Sequence, residues 1–163
     1  MDPRRDPVPA RPGRIRSPMV LLVPLAVVAL AACTGGGAPA GGGTVSVTLQ
    51  EWAVVADKTS IPAGSVTFDA KNAGPDDPHE LVVVKTDLSP LALPTDADGK
   101  VLEDGAGVEM IGEIEELEPG KTGSATFDLK SGKYVLICNI YENAGGKSES
   151  HYKLGMVLPF TVP

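Results

Sequence analysis

Apolar residues along most of this chain come in short runs that repeat every second position, the signature of half-buried strands. Residues 44–52 (Thr-Val-Ser-Val-Thr-Leu-Gln-Glu-Trp), 65–70 (Ser-Val-Thr-Phe-Asp-Ala) and 124–129 (Ser-Ala-Thr-Phe-Asp-Leu) alternate in this way. Residues 79–85 (His-Glu-Leu-Val-Val-Val-Lys) break the alternation with consecutive valines, which predicts a strand covered on both faces. Residues 134–140 and 156–162 read as two further strands. Residues 108–117 carry Ile111, Ile114 and Leu117 at a spacing of three, and the surrounding β context favours a strand there as well.

Turn chemistry separates these runs. Pro62-Ala63-Gly64, Glu118-Pro119-Gly120-Lys121 and Lys130-Ser131-Gly132-Lys133 are tight turns, and residues 72–78 form a loop dense in Asn, Gly, Pro and Asp. Residues 87–107 read as an irregular solvated loop, whose Asp96-Ala97-Asp98-Gly99 lacks the spacing and the closing Glu of a calcium loop. Many short strands with no long helix predict an all-β sandwich.

The N-terminus follows a different pattern. Residues 1–32 begin with five Arg and continue into an apolar stretch too short to be a comfortable membrane span, the form of an export signal. Leu30-Ala31-Ala32 stands directly before Cys33 and resembles a bacterial lipobox, in which the cysteine is lipidated and becomes the new N-terminus. Residues 33–43, the lipidated Cys and a Gly-rich stretch, then form a flexible tether. The expected location is the outer face of the cell membrane, held by the lipid alone. Arg4-Arg5 is not followed by the apolar pattern of a twin-arginine signal.

The remaining domain, residues 44–163, has nine Lys against nineteen acids. That balance argues against a nucleic-acid partner and favours a basic protein partner. It also keeps a single cysteine, Cys138, so no disulfide can form within it, and an exported protein with one unpaired thiol needs a reason for it.

Cys138, His79, His151 and Met156 together supply that reason. Alone, each is at least as well explained as a core or loop residue; these two are the only histidines in the chain, and both stand where a strand meets a loop. Two imidazoles, a thiolate and a thioether are the donor set of a blue-copper site, because soft sulfur suits Cu(I) and imidazole suits both oxidation states. A thiol bound to metal is also protected from oxidation.

The segments Tyr134-Val-Leu-Ile-Cys138-Asn139 and His151-Tyr-Lys-Leu-Gly-Met156, with Lys71-Asn72-Ala73-Gly74 and Pro78-His79-Glu80 upstream, resemble the cupredoxin family, most closely its plastocyanin-like and sulfocyanin-like members. The resemblance implies a Greek-key β-sandwich with one copper at its end, held by His79, Cys138, His151 and Met156. It further implies one-electron transfer through the edge of His151, with a redox partner such as a c-type cytochrome or a terminal oxidase subunit, and a monomeric protein rather than an enzyme. The chain departs from the family in two places. Twelve residues separate Cys138 from His151 where the family has a handful, so that residues 141–150 form a polar, flexible insert; and Glu80 replaces an Asn that ties the ligand loops together in plastocyanins. Copper carriage and a metal-free binding module are the competing readings; a copper oxidase would need more histidines than this chain has.

Overall fold

A computed structural model describes residues 41–144 and 146–163. The expected export signal at 1–32 and lipidated Cys33, with most of the tether, lie outside the described residues.

Ten strands and one short helix follow in chain order: β1 (Gly43–Gln50), β2 (Ala53–Ala56), β3 (Gly64–Asn72), β4 (His79–Lys85), β5 (Glu109–Leu117), β6 (Thr122–Leu129), β7 (Gly132–Ile137), β8 (Tyr141–Ala144), β9 (Lys147–Ser150), α1 (His151–Leu154) and β10 (Val157–Val162). They form a sheet of order β2-β1-β3-β6, a second of order β10-β7-β4-β5, and the separate hairpin β8-β9. The chain crosses between the two large sheets after β3, β5 and β6, giving the all-β Greek-key sandwich expected from the strand pattern. Strands β1 and β3 pair in parallel, and all other pairs within the sheets are antiparallel.

Alternation along the strands places the core. Val45, Val47 and Leu49 of β1 and Val66, Phe68 and Ala70 of β3 point inward to meet Leu81, Val83, Leu136 and Phe160 from the opposite sheet. The consecutive valines of β4 are explained by a second apolar cluster on the far side of its sheet. There Val82 and Val84 pack with Val135, Ile137 and Tyr152 beneath Leu93 and Val101. The loop 87–107, read from the sequence as solvated, is therefore a lid on that face. It lacks named strands, apart from an isolated bridge between Thr95 and Val101.

Strand β5 confirms the choice of strand over helix at 108–117. It is bulged, its register with β4 shifting between Val83 and Val84, and Gly112 sits there with φ +154, where an added Cβ would lie 2.5 Å from the Phe127 ring. Only glycine tolerates both the backbone angle and the close approach.

Asn72, at the end of β3, fixes the loop that leads into β4. Its amide nitrogen donates to the Asp77 and Leu117 carbonyls, 2.8 Å each, and its side-chain oxygen accepts from Gly74 N–H at 2.8 Å. The residue is fully buried. Asn72→Ala leaves three backbone groups unpaired, and urea unfolding is expected to show a loss of about 2–3 kcal/mol. A loss below about 0.5 kcal/mol would show that the loop is held by other contacts.

Candidate metal centre

Local structure aims each of the predicted ligands. His79 opens β4, where the Asn72-bonded loop joins the sheet, and its side chain is fully buried. Cys138 follows the last residue of β7 and is also fully buried; its N–H donates to the Met156 carbonyl at 3.1 Å. His151 opens the single turn α1, capped by the Ser150 hydroxyl, which accepts from Lys153 N–H, and closed by Gly155 at φ 116. The His151 N–H donates to the Ile140 carbonyl and its own carbonyl accepts from Met156 N–H, both at 3.0 Å. Met156 is thus tied through its backbone to both Cys138 and His151, and it too is fully buried.

The three stronger donors converge. Nδ1 of His79 lies 3.2 Å from Nδ1 of His151, and Cys138 Sγ lies 3.3 Å from the latter and 4.0 Å from the former. Imidazole and thiolate donors bind a metal ion at roughly 2.0–2.3 Å, so two donors on one ion stand at most about 4.6 Å apart. All three separations fall inside that limit, and among the described residues this is the only such group of His, Cys, Asp and Glu side chains. Both Nε2 atoms are buried without a hydrogen-bond partner, which leaves each ring with one nitrogen in the cluster and the other outside it.

Burial sets the charge state. The Cys138 thiol is pushed up to about 12, chiefly by desolvation and further by the Glu80 and Glu116 carboxylates, against the hydrogen bonds it accepts from backbone. Desolvation, then the neighbouring His79, lowers His151 to about 4; His79 is also lowered by desolvation, with Glu51 and Asp77 opposing. Near neutral pH the metal-free cluster therefore holds a neutral thiol and two neutral imidazoles. The lone pairs needed for ligation are present on the rings, and a metal has only the thiol proton to displace.

Several contributors escaped the sequence reading. Trp52 packs edge-on against His151, ring centroids 4.9 Å apart, and lies 6.4 Å from His79. It is only half-buried, whereas His151 is wholly covered, so this structure exposes no edge of the imidazole through which the resemblance implied electron transfer. Glu51, the preceding residue, points Oε1 at His79 Nε2 from 3.6 Å. Burial works to raise its carboxyl, but the backbone N–H groups of Asp77 and Asp76 and the nearby His79 outweigh that and hold it below its ordinary range. Asn139 clamps Val101, its Oδ1 accepting Val101 N–H at 2.6 Å and its Nδ2 donating to the Val101 carbonyl at 3.0 Å. With Ser150 bonded to Gly99 and Tyr152 to Pro90 and Leu93, it pins the lid loop beside the cluster. The one advance signal was that Trp52 is the chain's sole tryptophan.

The two departures are resolved by the structure. In the segment 141–150, expected to be a flexible insert, Tyr141–Ala144 and Lys147–Ser150 pair as the strands β8 and β9, with Tyr141 opposite Ser150. Glu80 itself ties the ligand segments together: its N–H donates to Cys138 Sγ at 3.4 Å and its carboxylate accepts Asn139 N–H at 3.0 Å. Burial pushes that carboxyl up, with Glu113 adding to the effect.

No family model and no curated protein matches the chain. Solved structures do. Reduced auracyanin from the photosynthetic bacterium Roseiflexus castenholzii superimposes with a TM-score of 0.52 at 24% identity, over 76% of this chain and 99% of that one. The copper protein rusticyanin gives 0.50 at 18% identity, over 74% and 76%. Auracyanin A, a "blue" copper protein from Chloroflexus aurantiacus, gives 0.49 at 24% identity, over 76% and 100%. The chain has the cupredoxin fold. At one end of that sandwich it gathers His79, Cys138 and His151, with Met156 bonded to the same backbone segments, and this set fits a single type 1 copper.

In the metal-free protein the lowered histidines make acid destabilising. As pH falls below about 6.5 the unfolded chain takes up protons that the folded His151 refuses until about 4, so stability declines across that window and levels off below it. The loss from pH 7 to pH 5 is expected to be about 2 kcal/mol from His151, partly offset by the raised Glu80 carboxyl. Urea midpoints at the two pH values, with and without His151→Gln, measure it. A stability independent of pH in the wild type contradicts neutral buried imidazoles.

Proposed function

We propose that this protein is a type 1 copper electron-transfer protein, carried to the outer face of the cell membrane and held there by a lipid on Cys33. The observation that carries the reading is the meeting of His79 Nδ1, Cys138 Sγ and His151 Nδ1 within 4.8 Å in a fully buried pocket of a cupredoxin sandwich. The fold neighbours include the copper protein rusticyanin. His79, Cys138 and His151 would hold the ion, with Met156 as the weaker fourth ligand.

Bound copper supplies a one-electron couple. The chain supplies a pocket that changes little between the two states. Cys138 and His151 are anchored through backbone hydrogen bonds to Met156 and Ile140, and His79 stands on a strand packed on both faces. The Glu80 N–H directed at Sγ stabilises the sulfur as thiolate, and Trp52 covers His151 from one side. Copper carriage fits less well, since donors this deeply covered oppose rapid handover of the ion.

The partner is a redox protein that presents a basic surface to the end capped by Trp52, a c-type cytochrome or oxidase subunit being of the right chemistry. Nineteen acids against nine Lys in residues 44–163 make that approach favourable at low salt. Electron transfer to a cationic cytochrome is expected to slow about tenfold or more between 20 and 200 mM salt, and stopped-flow measurement reads it. A rate indifferent to salt removes the basic partner from the proposal.

Titration with Cu(II), followed by visible absorption and electron paramagnetic resonance, tests the site. One equivalent is expected to give an intense thiolate-to-copper band and a narrow copper hyperfine splitting, both absent in Cys138→Ser. Stoichiometric binding without that band would instead support carriage, and no binding would leave a metal-free module.

A further inference from the structure

Glu51 follows the last residue of β1, far in sequence from the strand that carries His79. Its carboxylate is fixed by the chain around it. Oε1 accepts the N–H of Asp77 at 3.0 Å and of Asp76 at 3.4 Å, and Gly74 lies so close that an added Cβ would fall 2.5 Å from Oε1. The same oxygen stands 3.6 Å from Nε2 of His79, slightly beyond hydrogen-bond length. That nitrogen is buried and has no other partner, while the opposite ring nitrogen, Nδ1, faces His151 and Cys138.

An imidazole that gives one nitrogen to a metal carries its proton on the other, and the group facing that N–H decides which nitrogen it is. A carboxylate opposite Nε2 favours the Nε2–H form and leaves the Nδ1 lone pair free. We infer that Glu51 is a positioning residue of the metal centre: its carboxylate selects the Nε2–H tautomer of His79 and, through the ring, favours the more highly charged Cu(II) state. The inference rests on the type 1 copper reading for its second half and on geometry alone for its first.

No other acidic side chain meets the cluster in this way among the described residues. Glu80 approaches from the cysteine side and its carboxylate is engaged by the Asn139 N–H. His151 has Trp52 beside it and no hydrogen-bonding partner at Nε2. The two ligand histidines are thus unequal: charge addresses one and an aromatic edge the other.

The substitution Glu51→Gln separates charge from shape, since the amide oxygen can still accept from Asp76 and Asp77. In the copper-loaded protein it is expected to weaken Cu(II) about tenfold relative to Cu(I), a rise in reduction potential of about 59 mV, with the thiolate band retained. A purely structural Glu51 predicts no such shift. In metal-free protein, ¹⁵N shifts are expected to show His79 as Nε2–H in the wild type and as a tautomer mixture in Glu51→Ala. A change in the Cu(II)/Cu(I) ratio of less than twofold in Glu51→Gln, or an Nδ1–H His79 in the metal-free wild type, overturns the inference. Absence of a thiolate band in the wild type would overturn the copper reading instead, while the tautomer measurement would still decide the role of Glu51.

Discussion

The structure depends on one constraint: two imidazoles, groups that water solvates well, are held in contact with each other and with a thiol where water does not reach. Unpaired polar groups in such a place weigh against folding by about 1–3 kcal/mol each. The orphaned Nε2 atoms show that this protein tolerates that penalty. The rest of the sandwich must therefore hold the cluster together against its own tendency to hydrate. A metal bound there stabilises the folded state by mass action, because the unfolded chain offers no assembled donor set.

The means of holding it are visible on both sides of β4. Toward the opposite sheet, Leu81 and Val83 lock the strand into the main core; on the other face, Val82 and Val84 lie beneath the lid loop. That lid is attached by residues next to the ligands, Asn139 after Cys138 and Ser150 and Tyr152 on either side of His151. Packing and site are thus fastened by the same few side chains. Loosening the lid would release Asn139 and Tyr152 together, and with them the segments that aim Cys138 and His151.

What could be read in the sequence follows from where the information lies. The valine run of β4 and the alternation of β1, β3 and β6 are local, and local pattern shows the sandwich. The ligand set was legible because the chain is so poor in His and Cys that few combinations exist. Strand β2 is four residues long and α1 is a single turn, below the length at which periodicity speaks. The hairpin β8-β9 escaped because it carries few apolar residues and so no alternation. Glu51 and Trp52 were missed for another reason. Their role arises from contact between the end of β1 and residues 79 and 151, a long-range juxtaposition that no neighbouring residue announces.

That hairpin also answers the difficulty posed by twelve residues between Cys138 and His151. A flexible segment of that length would let His151 wander, even though the entropy of closing a loop grows only slowly with its length. Here the segment closes on itself: Tyr141 pairs with Ser150, and the Ile140 carbonyl takes the His151 N–H at 3.0 Å. The two ends of the excursion are stitched beside the ligands, so that Cys138 is joined to His151 in effect through Asn139, Ile140 and one hydrogen bond. The extra chain projects from a neck already closed. Cys138 Sγ and His151 Nδ1 stand 3.3 Å apart because the hydrogen bonds at the neck, and not the number of residues, set the distance between Cys138 and His151.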